Sequence, residues 1–277
     1  MRVPRSTNLS SRPSRRPIIS PVTTTPAELR PQPTTTVHDL GRASVTVLER
    51  DRTQPFLLLH GGAGPFSVAP FADLLAARRH ARVIVPTHPG FAGTPRPDSL
   101  AGVPALAALY ADLLDRLDVK NATVIGNSIG GWIAAELALL GSPRVSGLVL
   151  VNAVGIDVPE HPITDVSTIT PDQLRRLSFH DPDRFPPDPT RPGPDLATLA
   201  AYTGMRMTDP GLRDRLAGLD LPVQVVWGES DGIAVPAYGR AFAEAIPGAR
   251  FTLLPGAGHL PQLEAPEALL AAIGDAR

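Results

Sequence analysis

The sequence predicts an α/β fold in which a mostly parallel central sheet is flanked by helices. Short, continuous runs of Val, Ile and Leu alternate along the chain with amphipathic stretches of helical period. Continuous apolar runs are typical of parallel strands that are buried on both faces. Because strand-like and helix-like segments alternate, each strand is expected to connect through a helix to a parallel neighbour.

The predicted elements follow one another at short intervals from residue 37 onward. Strands are predicted at residues 44–48, 56–60, 82–86, 123–125, 148–152, 223–227 and 250–254. Helices of the same region are predicted at residues 67–80, 100–117, 129–140, 236–246 and 266–273. We therefore assign residues 37–152 and 221–277 to one α/β core.

One long interval, residues 153–220, breaks this alternation. It is rich in proline and contains no convincing strand. Short helical patterns occur within it at residues 171–179, 194–207 and 210–219. A connection of this length without structure of its own is uncommon in a compact domain. We predict that residues 153–220 form an inserted helical cap over the site.

The first 36 residues differ in composition from the rest of the chain. They are rich in Ser, Thr, Pro and Arg and have almost no apolar periodicity. Such a segment buries too little surface to offset the entropy of ordering it, so residues 1–36 are predicted to be a disordered tail. The pair Arg15-Arg16 resembles a twin-arginine export signal, but the apolar run that should follow it is missing.

Composition excludes several classes of function. The chain has 277 residues, 43% of them hydrophobic, which is enough to bury a sizeable core. It has no cysteine, which excludes thiol catalysis, Cys-ligated zinc and disulfides. A formal net charge of −1 indicates neither nucleic-acid nor membrane binding. Lys120 is the single lysine among 26 basic residues, a bias typical of GC-rich bacterial genomes.

The strongest chemical signal is the sequence GNSIGG at residues 126–131. It follows an apolar run and opens a helical pattern, which is the strand–turn–helix context of a G-x-S-x-G nucleophile. Glycines on either side leave room for the strained backbone that exposes Ser128. The pentapeptide alone fits equally well a turn in which Ser128 only caps a helix. Its context favours Ser128 as a catalytic nucleophile.

A second signal, HGGAG at residues 60–64, comes directly after a predicted strand. A loop of small residues lets backbone N–H groups approach the oxyanion that forms during acyl transfer. We predict the N–H groups of Gly62 and Ile129 as this pair of donors, with Ala63 as the weaker candidate. A phosphate loop does not fit, because the spacing and the lysine of such loops are absent. His60 is interpreted as a residue that orients the loop.

The remaining catalytic candidates are His259, in the sequence GAGH, and Asp231, in WGESD. A histidine between glycines is usually a surface residue, but nucleophile, acid and base occur here in the order that the serine hydrolases of this type require. His259 can accept the serine proton, and Asp231 can orient it. Glu229 is the competing acid. Asn152 and Asp157 remain open as members of a rearranged triad.

At these four motifs the chain resembles the α/β-hydrolase family. HGGAG, GNSIGG, WGESD and GAGHLPQLEAPE match the oxyanion loop, elbow, acid loop and histidine loop of the family in order. The resemblance runs from about residue 37 to the C-terminus. It implies the α/β-hydrolase fold and the triad, but it does not specify the substrate. C–C bond hydrolases of the family have similar elbows and oxyanion loops.

Several positions depart from the family pattern. Thr87 and Ala92 stand where an aspartate and a glycine are common, which affects the packing of that loop. Leu260 follows the histidine where C–C hydrolases often have an aromatic residue, which favours ester substrates. A serine nucleophile argues against dehalogenases and epoxide hydrolases, which use aspartate. His88 is interpreted as an exposed loop histidine or as a group beside the pocket.

The sequence thus predicts a serine hydrolase that cleaves an ester, thioester or lactone of a moderately apolar small molecule. Alternatives are a C–C bond hydrolase of β-diketone or dienol substrates, a biosynthetic cyclase or acyltransferase, and a non-catalytic ligand receptor. We expect a cytoplasmic monomer or homodimer that needs no cofactor or metal and binds neither nucleic acid nor membranes. The predicted substrate contacts are Ala63, His88, Trp132, Tyr202, Met205 and Leu260. Further candidates in the cap are Ile156, Leu177, Phe179 and Met207.

Overall fold

The computed structural model describes Met1 and residues 33–50, 53–187 and 194–274. The chain divides into the units Met1–Arg30 and Pro31–Arg277, and all but Met1 of the first unit lies outside the described residues. The predicted tail therefore lies mostly outside the described residues as well. The strands and helices of the described residues all belong to the second unit.

The described residues form one eight-stranded sheet. The strands are β1 (Thr34–Asp39), β2 (Ser44–Arg50), β3 (Gln54–Leu59), β4 (Ala81–Pro86), β5 (Ala122–Asn127), β6 (Val145–Val151), β7 (Val223–Gly228) and β8 (Arg250–Leu254). Their order across the sheet is β1-β2-β4-β3-β5-β6-β7-β8. Only the pairs β1–β2 and β2–β4 are antiparallel. The predicted fold class is confirmed.

Strand β1 corrects the predicted boundary of the core. It begins at Thr34, three residues inside the segment predicted to be disordered, and pairs with β2 from Thr34 to Asp39. Most of its side chains are exposed because the strand lies at the edge of the sheet. An exposed edge strand needs no apolar alternation, so its sequence carries no signal. Backbone pairing with β2 defines it instead.

The helices between the strands correspond to the amphipathic patterns. In the core they are α1 (Ala69–Arg79), α2 (Val103–Arg116), α3 (Ile129–Leu139), α7 (Pro236–Glu244), α8 (Pro261–Glu264) and α9 (Pro266–Ile273). Between β6 and β7 lie α4 (Pro171–Ser178), α5 (Leu196–Thr203) and α6 (Leu212–Leu216). Among the described residues, no helix combines the length and the apolarity needed to cross a membrane.

The apolar core occupies both faces of the sheet. On β3, Leu57 and Leu59 belong to the cluster that includes α2, α3 and α7, whereas Phe56 and Leu58 belong to the cluster that includes α1 and α9. Side chains alternate between faces along a strand, so a strand covered on both sides must be apolar at every position. This explains the continuous apolar runs in the sequence.

Helix α4 begins at a capping box. The hydroxyl of Thr170 accepts a hydrogen bond from the Gln173 backbone N–H at 3.2 Å, and the Gln173 side chain accepts one from the Thr170 N–H at 2.8 Å. Pro171 occupies the first helical position, where its missing N–H costs nothing. These local signals define where α4 begins, within the segment between β6 and β7.

An ion pair with a buried carboxylate joins α3 to α6. Glu136 has a side chain that is 6% exposed, and its two oxygens accept hydrogen bonds from Arg215 at 2.6 and 2.8 Å. Trp132 donates to the same carboxylate at 3.3 Å. The helix that follows Ser128 is thereby tied to the segment between β6 and β7.

Replacing Arg215 with alanine is expected to lower the free energy of unfolding by about 1–3 kcal/mol. Losing one partner of a buried pair costs roughly 3–5 kcal/mol, but the Arg215 side chain is 41% exposed and water already screens part of the interaction. Urea denaturation measures the loss. Arg213→Ala is the matched control, since this exposed arginine of α6 makes no ion pair with the described residues. Equal losses in both variants would contradict the prediction.

Candidate active site

Ser128 lies on a sharp turn between β5 and α3. Its backbone has φ 57° and ψ −122°, a strained conformation for a residue with a side chain. A Cβ on Gly126 would lie 2.1 Å from the carbonyl oxygen of Gly130, and one on Gly130 would lie 2.3 Å from that of Leu59. Only glycine fits at either position. The predicted strand–turn–helix context of Ser128 is therefore present.

His259 and Asp231 form a buried hydrogen-bonded pair. The Nδ1 atom of His259 lies 2.9 Å from Oδ2 of Asp231. The other carboxylate oxygen accepts hydrogen bonds from the backbone N–H groups of Ile233 and Ala234 at 2.8 and 3.1 Å. The carboxylate orients the imidazole of His259, whose Nε2 atom is left available to a proton. Glu229, the competing acid, is exposed.

Asn152, at the end of β6, belongs to the same cluster. Its side-chain amide donates to Oδ2 of Asp231 at 2.6 Å, and its side-chain oxygen accepts the N–H of Gly228 at 3.3 Å. The backbone has φ 46°, which asparagine tolerates better than most residues. Asn152 therefore supports Asp231 and does not replace it, while Asp157 is exposed. No motif in the sequence indicated this supporting contact.

Two buried histidines, His60 and His88, stabilise the loop after β3. His60 donates through Nδ1 to the carbonyl of Gly61 at 2.7 Å, and its Nε2 accepts the backbone N–H of His88 at 3.0 Å. His88 donates through Nε2 to the carbonyl of His60 at 2.8 Å and accepts at Nδ1 from the hydroxyl of Tyr110. Each ring thus has one donor and one acceptor nitrogen, which corresponds to two neutral imidazoles.

This arrangement also sets the direction of one peptide group. Gly61 C=O and Gly62 N–H belong to the same trans peptide and point in opposite directions. Because the Gly61 carbonyl faces His60, the Gly62 N–H points away from His60. Gly62 itself lines the cavity described below. Among the described residues, no acceptor takes the backbone N–H of Gly62 or Ile129. Both donors are available to a bound group.

Burial lowers the pKa of His60 to about 4, and it lowers the pKa of His88 well below its ordinary value of 6.5. Charging either ring would also remove a hydrogen-bond acceptor that a neighbour uses, Nε2 of His60 or Nδ1 of His88. Both histidines are therefore neutral around pH 7 and serve to support the loop.

Stability is expected to fall between pH 6.5 and pH 4 because of His60. Its folded pKa of about 4 lies below the value of about 6.5 in an unfolded chain, so the unfolded state binds the proton more readily in this range. The contribution is complete above pH 6.5 and is lost as the pH approaches 4, at a cost of roughly 3 kcal/mol. Urea denaturation at several pH values measures it. The control variant His161→Gln, which replaces an exposed histidine, should show the same decrease in unfolding free energy as the pH is lowered. An unfolding free energy that stays constant down to pH 5 would contradict the assignment to His60.

A cavity of about 1060 Å³ opens over Ser128 and His259. Gly62, Ala63 and Leu260 line its floor together with these two residues. Its other walls are mostly apolar and come largely from the segment between β6 and β7; they include Val166, Leu174, Phe179, Phe185, Leu196, Leu199 and Met207. Phe179 and Phe185 stack with ring centroids 4.7 Å apart. The cavity thus suits a largely apolar molecule with one reactive group beside Ser128.

Ala63 and Leu260 lie at the cavity as predicted, but the other predicted substrate contacts do not. Trp132, on α3, is buried, and its indole N–H donates to Glu136 on the same helix. Tyr202 is buried and donates its hydroxyl to the carbonyl of Pro89 at 2.9 Å. Met205 is 67% exposed on the outer surface. For Trp132 and Tyr202 the prediction was wrong because apolar character does not distinguish packing in the interior from cavity lining, and for Met205 it was wrong because the side chain faces solvent.

The prediction for His88 was wrong for a different reason. The His88 side chain is fully buried and does not line the cavity, so His88 is neither an exposed loop residue nor a substrate contact. Its partners, His60 and Tyr110, lie far from it in the sequence, and no local pattern indicated them.

The further cap candidates divide into two groups. Phe179 and Met207 line the cavity. Ile156 is buried in the core and Leu177 packs against Gly232. The helical pattern of the cap did not distinguish these two environments.

Several cavity residues had no predicted role, namely Leu174, Arg175, Phe185 and Leu199. Leu174 and Arg175 belong to the helical pattern of α4, and that pattern was the only available signal. Arg175 donates to Asp172 at 2.9 Å and to the carbonyl of Pro182, so its charge is largely partnered within the segment. Which side of α4 faces the cavity depends on how the segment folds over the core.

Comparison with known proteins identifies the family to which this chain belongs. A sequence profile described as the alpha/beta hydrolase family matches residues 56–272. The match covers most of the chain, and the chain therefore belongs to the alpha/beta hydrolase family.

Individual relatives are more distant. The chain is 34% identical over 125 residues to 2-hydroxy-6-oxo-2,4-heptadienoate hydrolase of Pseudomonas putida, a match that spans 44% of this chain and only 42% of that protein. It is 27% identical over 237 residues to 2-hydroxymuconate semialdehyde hydrolase of Pseudomonas putida, covering 76% and 82% of the two chains. Among solved structures, an esterase from Thermogutta terrifontis matches with a TM-score of 0.69 at 26% identity, covering 87% of this chain and 96% of the other.

Proposed function

We propose that this protein is a serine hydrolase that cleaves an ester, thioester or lactone of an apolar small molecule. The observation that carries the proposal is the buried His259–Asp231 pair beside the cavity that Ser128 also lines. Ser128 is the nucleophile, His259 the general base and Asp231 the acid that orients the histidine. The reaction requires no metal or cofactor.

The proposed reaction has two halves. Ser128 Oγ attacks the substrate carbonyl and His259 accepts its proton, which then passes to the leaving alcohol or thiol as the acyl-enzyme forms. Water, deprotonated by His259, attacks the acyl-enzyme, and the proton returns to Ser128 as the acid product leaves. The N–H groups of Gly62 and Ile129 stabilise the oxyanion in both halves. Ile129 is the first residue of α3, so the helix dipole adds to its effect.

The walls of the cavity support an apolar substrate. Phe66, Leu196, Leu199, Ile233 and Leu263 contribute apolar surface around the reactive groups. Leu260, directly after the base, also lines the cavity and provides no polar contact. A volume of about 1060 Å³ accommodates more than a short acyl chain. We therefore expect activity to rise with acyl length before it declines.

A second candidate is hydrolysis of a C–C bond by the same residues. The names of the two Pseudomonas putida relatives, which describe hydrolases of dienoate and semialdehyde compounds, favour it. Such a reaction would expel a carbon leaving group, which must be protonated on carbon.

The test is turnover of p-nitrophenyl esters of increasing acyl length, beside a 2-hydroxy-6-oxo-dienoate as the C–C substrate. Rapid turnover of the esters supports the first candidate, and the length profile then reports the size of the cavity. Slow ester turnover with rapid cleavage of the dienoate supports the second. Labelling by a fluorophosphonate, mapped by mass spectrometry, should modify Ser128 in either case. A protein that turns over neither substrate and resists labelling would refute both.

A further inference from the structure

The C-terminal end of α4 is bonded directly to the loops that carry the acid and the base. The last carbonyls of a helix lack partners within the helix and must find them elsewhere. The carbonyl of Leu177 accepts the N–H of Gly232 at 2.9 Å, and that of Ser178 accepts the N–H of His259 at 2.7 Å. We call residues 177–181 the strap.

Glu264 makes a second connection between the strap and the loop of His259. One of its carboxylate oxygens accepts the backbone N–H groups of His180 and Asp181 at 2.8 and 3.1 Å. The other oxygen accepts the N–H of Gly258 at 2.6 Å. Three N–H donors converge on one carboxylate, which is an acceptor at every lone pair. The N–H groups of two consecutive residues are therefore bonded on different sides: Gly258 donates to Glu264, and His259 donates to the carbonyl of Ser178 in the strap.

The backbone of the strap packs directly against Gly258 and Gly232, with no space for a side chain at either glycine. A Cβ on Gly258 would lie 2.5 Å from the carbonyl oxygen of Ser178, and one on Gly232 would lie 2.8 Å from the side chain of Leu177. The side chains of His180 and Ser230 add a hydrogen bond of 2.8 Å between the strap and the acid loop. A displacement of the strap would therefore move the backbone of both loops.

We propose that Glu264 is a positioning residue for His259, which it holds in place by joining the histidine loop to the strap. The inference rests on the proposed role of His259 as the base. It implies that the strap is part of the scaffold of the active site and not a lid that can lift away. Phe179, in the strap, lines the cavity, so the same contact sets one wall of the substrate site.

Glu264→Gln tests the proposal in the full-length protein. The variant keeps the shape of the side chain but turns one acceptor into an NH₂ group that opposes the N–H donors. We expect kcat for the best p-nitrophenyl ester to fall about ten- to a hundredfold with little change in KM, because the base is displaced while the apolar walls remain. The downfield NMR resonance of the His259 Nδ1 proton should shift or broaden.

Glu267→Gln is the matched control. This glutamate lies on α9, three residues from Glu264, and its side chain is 62% exposed in an ion pair with Arg78. Its kcat and the His259 resonance should match those of the wild type. If Glu264→Gln does not fold, Glu264→Asp takes its place, since it keeps the charge but withdraws it by one methylene.

The outcomes separate the positioning role from the proposed function. Wild-type kcat and an unchanged His259 resonance in the Glu264 variant overturn the positioning role but leave the proposed function intact. A Glu264 variant that loses as much through KM as through kcat also overturns it, because the contact would then support only the cavity wall. A wild type that neither turns over substrate nor reacts with a fluorophosphonate overturns the proposed function, and the positioning role with it.

Discussion

Ser128→Ala is expected to lose nearly all hydrolytic activity, with kcat reduced by roughly 10⁴- to 10⁶-fold. Alanine removes the only nucleophilic atom that the elbow presents to the cavity and leaves the oxyanion donors and apolar walls intact. KM should therefore change little, and the melting temperature should stay within a few degrees of the wild type. Turnover of the best p-nitrophenyl ester measures the loss, and thermal unfolding shows whether the fold is retained.

Ser142→Ala is the control for this variant. Ser142 lies in the loop between α3 and β6, remote from the cavity, so its replacement should leave kcat within about twofold of the wild type. Comparable activity in Ser128→Ala and the wild type would show that another group is the nucleophile. In that case the strained turn at Ser128 would need a different explanation.

Asp231→Asn is expected to reduce kcat by about 10⁴-fold while the protein remains folded. The amide has one acceptor oxygen where the carboxylate has two. That oxygen is already required by the N–H groups of Ile233 and Ala234, so the NH₂ group would face His259 and Asn152. The imidazole would then be driven to the tautomer with its proton on Nε2, which cannot accept the proton of Ser128.

The control here is Glu229→Gln, which changes the competing carboxylate two residues earlier. Because Glu229 is exposed, the variant should keep kcat within about twofold of the wild type. A larger loss for Glu229→Gln than for Asp231→Asn would reverse the assignment of the acid.

Much of the candidate site was predictable because its signals are local. An elbow needs a strand, a turn and a helix within a few residues, and glycine must flank the nucleophile wherever a Cβ would collide with the backbone. The loops of His60, Asp231 and His259 likewise follow directly after their strands. Parallel strands bring their carboxyl ends to one edge of the sheet, and for that reason these loops lie close together in the fold.

The contacts that support the site were not predictable in the same way. The motif GAGHLPQLEAPE contains Gly258 and Glu264 but does not indicate their contact. No motif indicated that Asn152 reaches Asp231 or that His88 reaches His60. Trp132 and Tyr202 failed as substrate contacts for a related reason. Their helices were predicted, but packing decided that both side chains face the protein interior.

By itself, the sequence determined the fold class, the order of most strands and helices, the family resemblance and the loops that carry the candidate residues. Periodicity, glycine geometry and turn chemistry depend on residues that are close together in the chain, so they are visible in the linear sequence. Only the tertiary structure decided that Asp231 and not Glu229 meets His259, which residues line the cavity, and where β1 begins. Each of these depends on distances between segments far apart in the chain, and such distances are set by packing over the whole sheet.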